Sequence, residues 1–169
     1  MRLKKSNIKD VPAIMNIIAD AQQYLASLKI DQWQDGYPTR EQIELDIKNN
    51  DSYIVLNNEE AIIGTTVFST KKEPTYQNIE GQWLTHKETR HGVIHRLAVS
   101  NPYRKSGMAK FVFKECEETL RNNKITSMRI DTHKDNVGMQ KLLNHLGYQY
   151  CGIITLISGA KRLAFEKLI

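Results

Sequence analysis

Cysteine is scarce in this chain, with Cys116 and Cys151 alone among 169 residues. Two thiols cannot build a disulfide framework, which excludes a small stapled secreted scaffold and points to a reducing compartment. Long apolar runs are also missing: none approaches the roughly 20 residues of a membrane helix, so no membrane partner is expected. Met1-Arg2-Leu3-Lys4-Lys5 leads into Ser6-Asn7 and not into an apolar stretch. No signal peptide is read, and the cytoplasm is the expected location. Charge is not blocked either. The net +5 comes from 24 Lys and Arg scattered among 19 Asp and Glu. A nucleic-acid binder concentrates its basic residues in a stripe, so no nucleic-acid partner is expected. A modest positive field is equally suited to a polyanionic small molecule. No H-E-x-x-H string or paired cysteines suggest a metal, and neither G-x-x-x-x-G-K-[ST] nor G-x-G-x-x-G suggests another nucleotide fold. There are no internal repeats and no low-complexity segment.

The charged and apolar fractions, 25% and 40%, fit one globular domain over residues 1–169. Arg2 to Ser6 reads as a short strand. Asp10 is a suitable N-cap with Pro12 in the first turn, and Ile14, Ile17, Ile18, Ala21 and Leu25 form a helical stripe. Gln32 to Pro38 breaks that pattern as a loop. Thr39 and Gln42 resemble a capping box for a second helix with Ile43 and Ile47 inward. Ser52–Leu56 and Ala61–Ser69 read as a hairpin. Lys71 to Gly92 is a long polar connection, of a length that is usually functional or holds structure of its own. Ser127–Thr132 is a strand. Asp135 or Asn136 caps a helix with Met139, Leu142, Leu143 and Leu146 inward and Gly147 at its end. Gln149–Ile157 and Arg162–Leu168 close the chain as strands.

The remaining stretch, Val93 to Ala109, organises the others. Val93–Ser100 is an apolar strand, suited to burial on both sides, with His95 and Arg96 set into it. Asn101-Pro102 stops it. From Gly107 the period changes, and Ala109, Val112, Phe113, Cys116 and Leu120 trace one helix face. The loop between is Arg104-Lys105-Ser106-Gly107-Met108-Ala109. A helix N-terminus offers unpaired N–H groups and partial positive charge to an anion. Gly107 permits close approach, and Arg104, Lys105 and Lys110 add charge. An ordinary basic turn is the plain alternative.

The segment from His95 to Lys114 resembles the acetyl-CoA motif of the GCN5-related N-acetyltransferases, in which a strand ending V-x-P precedes R/Q-x-x-G-x-G/A. Val99, Pro102, Arg104, Gly107 and Ala109 fall on that pattern, with Pro102 one position late. Asn136 to Tyr148 resembles the family's later N-x-x-A-x-x-L-Y-x-K-x-G-F motif. The element order β-α-α-β-β-β-α-β-α-β-β is that of the family, and the resemblance implies an α/β fold with a mixed, centrally splayed sheet. It implies transfer of the acetyl group of acetyl-CoA to a small-molecule or protein amine in a ternary complex, without a metal. A homodimer is one assembly open to it.

The resemblance also implies roles. The N–H groups of Arg104, Lys105, Ser106, Gly107, Met108 and Ala109 would hold the pyrophosphate. The backbone of Leu97, Ala98 and Val99 would pair with the pantetheine arm, and an N–H near Leu97 or Val99 would stabilise the oxyanion. Asn136 would contact the arm or simply cap its helix. His95 is the candidate base, since an ordinary pKa of about 6.5 suits removal of an ammonium proton; a structural histidine is the alternative. Arg96 should face the other way along the strand and form an ion pair. Trp33, Tyr37 and Trp83, with Tyr76, are candidate acceptor walls through cation–π contact, or loop anchors. Cys116 and Cys151 read as packing residues. Leu143 stands where the family commonly has a tyrosine acid. That leaves Tyr148 or water as donor and keeps open a non-catalytic acyl-CoA-binding or sensing module.

Overall fold

Apolar side chains three and four residues apart make a single stripe of Val11–Ser27, and this segment is helix α1 of the computed structural model, which describes residues 1–169. Val11, Ile14, Ile17, Ile18 and Leu25 are buried on that stripe. The entry to α1 is tied off one turn earlier than expected. Asn7 Oδ1 accepts from the Lys9 N–H at 3.0 Å, and the Asp10 carboxylate takes the Asn7 N–H at 2.8 Å. Asp10 itself makes no side-chain cap for α1. Helix α2, Arg40–Lys48, starts at Thr39, whose Oγ1 accepts from the Gln42 N–H at 3.3 Å. The reciprocal half of a capping box is not made there, because the Gln42 side chain donates to Asp46 at 3.0 Å.

The strands are β1 (Arg2–Lys5), β2 (Ser52–Leu56), β3 (Ile62–Ser69), β4 (Ile79–Gly81), β5 (Gly92–Val99), β6 (Ser127–Thr132), β7 (Gln149–Thr155) and β8 (Lys161–Leu168). They form one mixed sheet in the order β1-β2-β3-β5-β6-β8-β7-β4. Helices α3 (Met108–Asn122) and α4 (Val137–His145) complete the chain. One strand, β4, adds to the expected order. It lies inside the long polar connection and pairs antiparallel with β7, Ile79 opposite Ile154 and Gly81 opposite Gly152. Three residues are too few to show an alternating pattern, so sequence periodicity passes over it.

Two units make up the chain. The first is Met1–Phe68 with Ile94–Glu115. In it β1 runs antiparallel to β2, and β2 to β3. Ile14, Ile17, Ile18, Ile43, Ile54 and Ala98 share its core. The second is Ser69–Val93 with Cys116–Ile169. There β8 lies between β6 and β7, antiparallel to both, and Gly92 and Val93 pair in parallel with Met128 and Arg129. Its core cluster is Tyr76, Trp83, Val93, Cys151, Ile154 and Ala164.

Candidate active site

The loop Arg104 to Ala109 belongs to the first unit. After β5 a single 3-10 turn, Asn101–Tyr103, carries the chain into Arg104, Lys105 and Gly107, and α3 begins at Met108. Lys105 has φ 62° and Gly107 φ 84°. Left-handed backbone suits Gly107, and a Cβ added there would meet nothing within 4 Å, so the loop faces open space at that point. Lys105, Ser106 and Lys110 are exposed. Met108 is buried, and its side chain fixes the start of α3. It lies over Gly64 of β3, where a Cβ would come within 2.6 Å of Met108 Cε and 3.1 Å of the Ala98 carbonyl oxygen. The place of Gly64 in this seat had no signal in sequence, since the two residues are far apart along the chain.

Arg104 is not directed as the loop pattern suggests. Its Nη2 donates to the Asp20 carbonyl at 2.9 Å, and its guanidinium lies 3.6 Å from the centroid of the Tyr24 ring. The side chain is thus spent on α1, which leaves its backbone, not its guanidinium, on the loop.

In β5, His95, Arg96 and Leu97 are half-buried, Ala98 is buried, and Val99 is half-buried. The strand is therefore buried on both sides only in its first part, Gly92–Ile94. Arg96 has φ 51°, a left-handed turn within a strand at a residue other than glycine. The simple alternation of faces expected there does not continue through it. The expected ion pair is present. Arg96 Nε donates to Asp46 Oδ2 at 2.8 Å and Nη2 to Oδ1 at 2.7 Å, while Nη1 donates to the Tyr37 hydroxyl. The His95 carbonyl accepts from Thr66 Oγ1 at 3.4 Å. Tyr37 is fixed to α1 through its carbonyl, which accepts from Gln22 Nε2 at 2.9 Å. Trp33 packs on the core of the first unit. His95, Arg96, Tyr37 and Leu97–Val99 thus share the unit that carries the loop Arg104 to Ala109.

The second unit holds the other candidates. Asn136 caps α4, its Oδ1 accepting from the Met139 N–H at 3.1 Å. Leu143 is fully buried. The Tyr148 hydroxyl donates to Glu117 Oε1 at 3.1 Å, and burial together with that carboxylate pushes its pKa far up, so it holds its proton firmly. Trp83 is buried, with Nε1 donating to the Tyr76 carbonyl at 3.0 Å and the Arg129 guanidinium 4.4 Å from its ring centroid. Tyr76 is fully buried and donates to Asp131 at 2.8 Å. These two aromatics anchor the long connection. Trp83 also borders a groove of about 840 Å³, along with Leu84, Thr85, Ile153 and Leu156. Cys116 and Cys151 are both buried, and burial raises the Cys151 thiol pKa.

A polar cluster that sequence reading missed holds the far end of that connection. Arg129 and Glu166 are fully buried and paired, Nε to Oε1 at 3.1 Å. Glu166 also accepts from the Leu84 N–H at 2.6 Å and from the Thr85 and Ser127 hydroxyls. Arg129 donates to the His86 carbonyl at 3.1 Å. Burial by itself would raise the Glu166 carboxyl, but the Ser127 and Thr85 hydroxyls and the Arg129 charge outweigh it and hold it below the ordinary value. Nearby, His91 Nδ1 is 2.7 Å from the Thr89 carbonyl, its Nε2 is buried without a partner, and its ring stacks on Tyr76.

Comparison with known proteins adds an independent finding. The model of the acetyltransferase (GNAT) family matches residues 14–148. A GNAT-family acetyltransferase from Streptococcus agalactiae 2603 is 34% identical, with a TM-score of 0.88 over 99% of this chain and 95% of that one. One from Listeria monocytogenes 4b F2365, 16% identical, has a TM-score of 0.78 over 99% and 94%. The PaiA N-acetyltransferase of Thermoplasma acidophilum, solved in complex with coenzyme A, is 15% identical, with a TM-score of 0.68 over 99% and 98%. The last two likenesses concern the fold alone. No curated protein matches the sequence. With the family model spanning most of the chain, and with a strand, basic loop and helix in the order its motif requires, this protein belongs to the GNAT acetyltransferase family.

Proposed function

We propose that this protein transfers the acetyl group of acetyl-CoA to the nitrogen of an amine, small-molecule or protein-borne, by direct attack. The observation that carries the reading is the loop from Arg104 to Ala109 in a chain of this family. Its left-handed Lys105 and Gly107 lead into the first turn of α3, beside exposed Lys105 and Lys110 and with open space over Gly107. That set of groups fits a pyrophosphate: backbone N–H donors, a helix N-terminus and point charges that need no fork geometry.

Acetyl-CoA supplies the activated thioester. The backbone of Leu97, Ala98 and Val99 pairs with the pantetheine arm, and an N–H of this stretch stabilises the carbonyl oxygen as negative charge develops. An alkylamine with a pKa near ~10 arrives protonated, and His95 takes that proton, directly or through water. The freed nitrogen attacks the carbonyl carbon, the N–C bond forms and the C–S bond breaks; the nitrogen gives its surplus proton to water and the thiolate takes one from water, leaving a neutral amide and a free thiol. Tyr148 is not the acid in this scheme, because its proton is held toward Glu117. Tyr37 and Trp33 are the acceptor-side aromatics.

A second reading is a non-catalytic acyl-CoA-binding module. It is favoured by the fully buried Leu143 at the family's tyrosine position. A thermal-shift titration with acetyl-CoA, followed by a thiol-release assay over a broad amine panel, separates the two. Binding with thiol release that His95→Ala abolishes supports catalysis. Binding with no release from any amine supports the module. Absence of acetyl-CoA binding ends both.

A further inference from the structure

The loop segment before Lys105 is fastened at three residues, two of them to α1 and one to the turn between β2 and β3. The Asn101 N–H donates to Asp20 Oδ2 at 3.1 Å. The Tyr103 hydroxyl accepts from Asn57 Nδ2 at 2.9 Å. Asn57 is itself braced, its Oδ1 accepting from the Glu59 and Ala61 N–H groups, both at 2.9 Å. Arg104 closes the set. Its guanidinium is pinned between the Asp20 carbonyl and the face of Tyr24. Lys105, Ser106 and Gly107, which follow, are exposed.

We infer that Tyr24 is a positioning residue for coenzyme A: by holding Arg104 against α1 it presets the Lys105–Gly107 backbone in its anion-binding shape. This rests on the acetyl-CoA reading above. A flexible loop must be ordered when its ligand binds, and that cost weakens the complex; a loop fastened beforehand avoids most of it. A planar guanidinium stacked on an aromatic ring and bonded to a carbonyl is a device that lysine cannot reproduce. The Arg104 charge of this R-x-x-G-x-A loop is then used for shape, and the electrostatic work falls to Lys105, Lys110 and the backbone.

The test is calorimetric titration of the intact protein with coenzyme A, together with acetyl-CoA KM and kcat. Tyr24→Leu, which removes no charge, is expected to weaken coenzyme A binding roughly fivefold, the scale of one partly exposed cation–π contact. KM for acetyl-CoA should rise by a like factor, kcat at saturation should hold, and the salt dependence of binding should keep its slope. Tyr24→Phe keeps the ring and should restore affinity. Tyr24 is 44% exposed, so the fold should tolerate the change, and Tyr24→Gln provides a second ring-less variant. Unchanged affinity in the ring-less variants, or failure of Tyr24→Phe to restore it, overturns the inference while leaving the acetyl-CoA reading intact. A wild-type protein that does not bind coenzyme A overturns both.

Discussion

Arg96 and Asp46 meet through a two-point ion pair, Nε to Oδ2 at 2.8 Å and Nη2 to Oδ1 at 2.7 Å, with side chains only 13% and 5% exposed. The pair holds a left-handed residue in the middle of β5, where φ of 51° is costly for any residue with a Cβ. Removing one partner of a buried pair strands the other charge. Asp46→Ala is therefore expected to lower the unfolding free energy by about 3 kcal/mol. Asp46→Asn, which keeps an acceptor for the guanidinium, should lose less. Arg96→Gly in the Asp46→Ala background should recover part of the loss, since it removes the stranded charge and suits the backbone angle. Chemical denaturation of the single and double variants checks the cycle, and strictly additive losses would contradict the coupling.

Gly64 and Met108 provide a second test. A side chain at Gly64 would enter the space of Met108 Sδ and Cε and crowd the Ala98 carbonyl. Gly64→Val is expected to cost about 1–3 kcal/mol, the usual range for overpacking. Because Met108 opens α3, coenzyme A affinity should fall as well. Gly64→Ala should do less harm, and Met108→Ala in that background should relieve it. Melting temperature and coenzyme A titration measured on the same samples distinguish a seat for the loop from simple packing.

Most of the fold was legible from the chain because α1, α3 and the hairpin strands each carry a regular apolar period. The loop was legible because its chemistry is local: glycine, lysine and the helix start lie within six residues. What could not be read depends on partners distant in sequence. Nothing near Arg96 announces a left-handed turn, since no glycine marks it, and its carboxylate partner is an ordinary polar position between Ile43 and Ile47 of α2. Arg104 fits the motif by identity, yet Tyr24 and Asp20 redirect its side chain. Arg129 and Glu166 look like two more scattered charges until β6 and β8 are paired, with Arg129 opposite Glu166. The strand β4 is too short to have a period at all.

Glu166 predicts the acid limb of the stability curve. Its folded-state pKa lies below the ordinary value of 4.5, so its contribution is present above about that pH and is lost as pH falls through the folded value. Glu166→Gln should therefore destabilise the protein strongly at neutral pH, and the gap to wild type should narrow on acidification below the carboxylate range. Denaturation midpoints of both proteins at neutral and acid pH provide the check. A gap that stays constant with pH would contradict the assignment.

His91 acts earlier on the same limb. Burial lowers its pKa from 6.5, and the Arg129 charge lowers it further, against the opposing effects of the Thr89 carbonyl and of Glu166 and Glu73. The folded state thus binds fewer protons than the unfolded one, and stability declines as pH drops below about 6.5. His91→Gln should flatten that first part of the decline and leave the later carboxylate-dependent part in place. Stability measured from pH 7 to pH 5 on both proteins is sufficient; parallel curves would exclude His91 as the group responsible.

Acetyl transfer from acetyl-CoA to an amine, with His95 as base, leaves two products that can be counted. The most direct measurement is a coupled quantitation of free thiol and acetylated amine, by mass spectrometry, in reactions of the protein with acetyl-CoA and an amine panel. The expected result is that at least one amine gives thiol and acetylated product in equal amounts, and that His95→Ala removes the turnover while acetyl-CoA still binds. Acetyl-CoA binding with no acetylated amine from any acceptor, or turnover undiminished in His95→Ala, would contradict it.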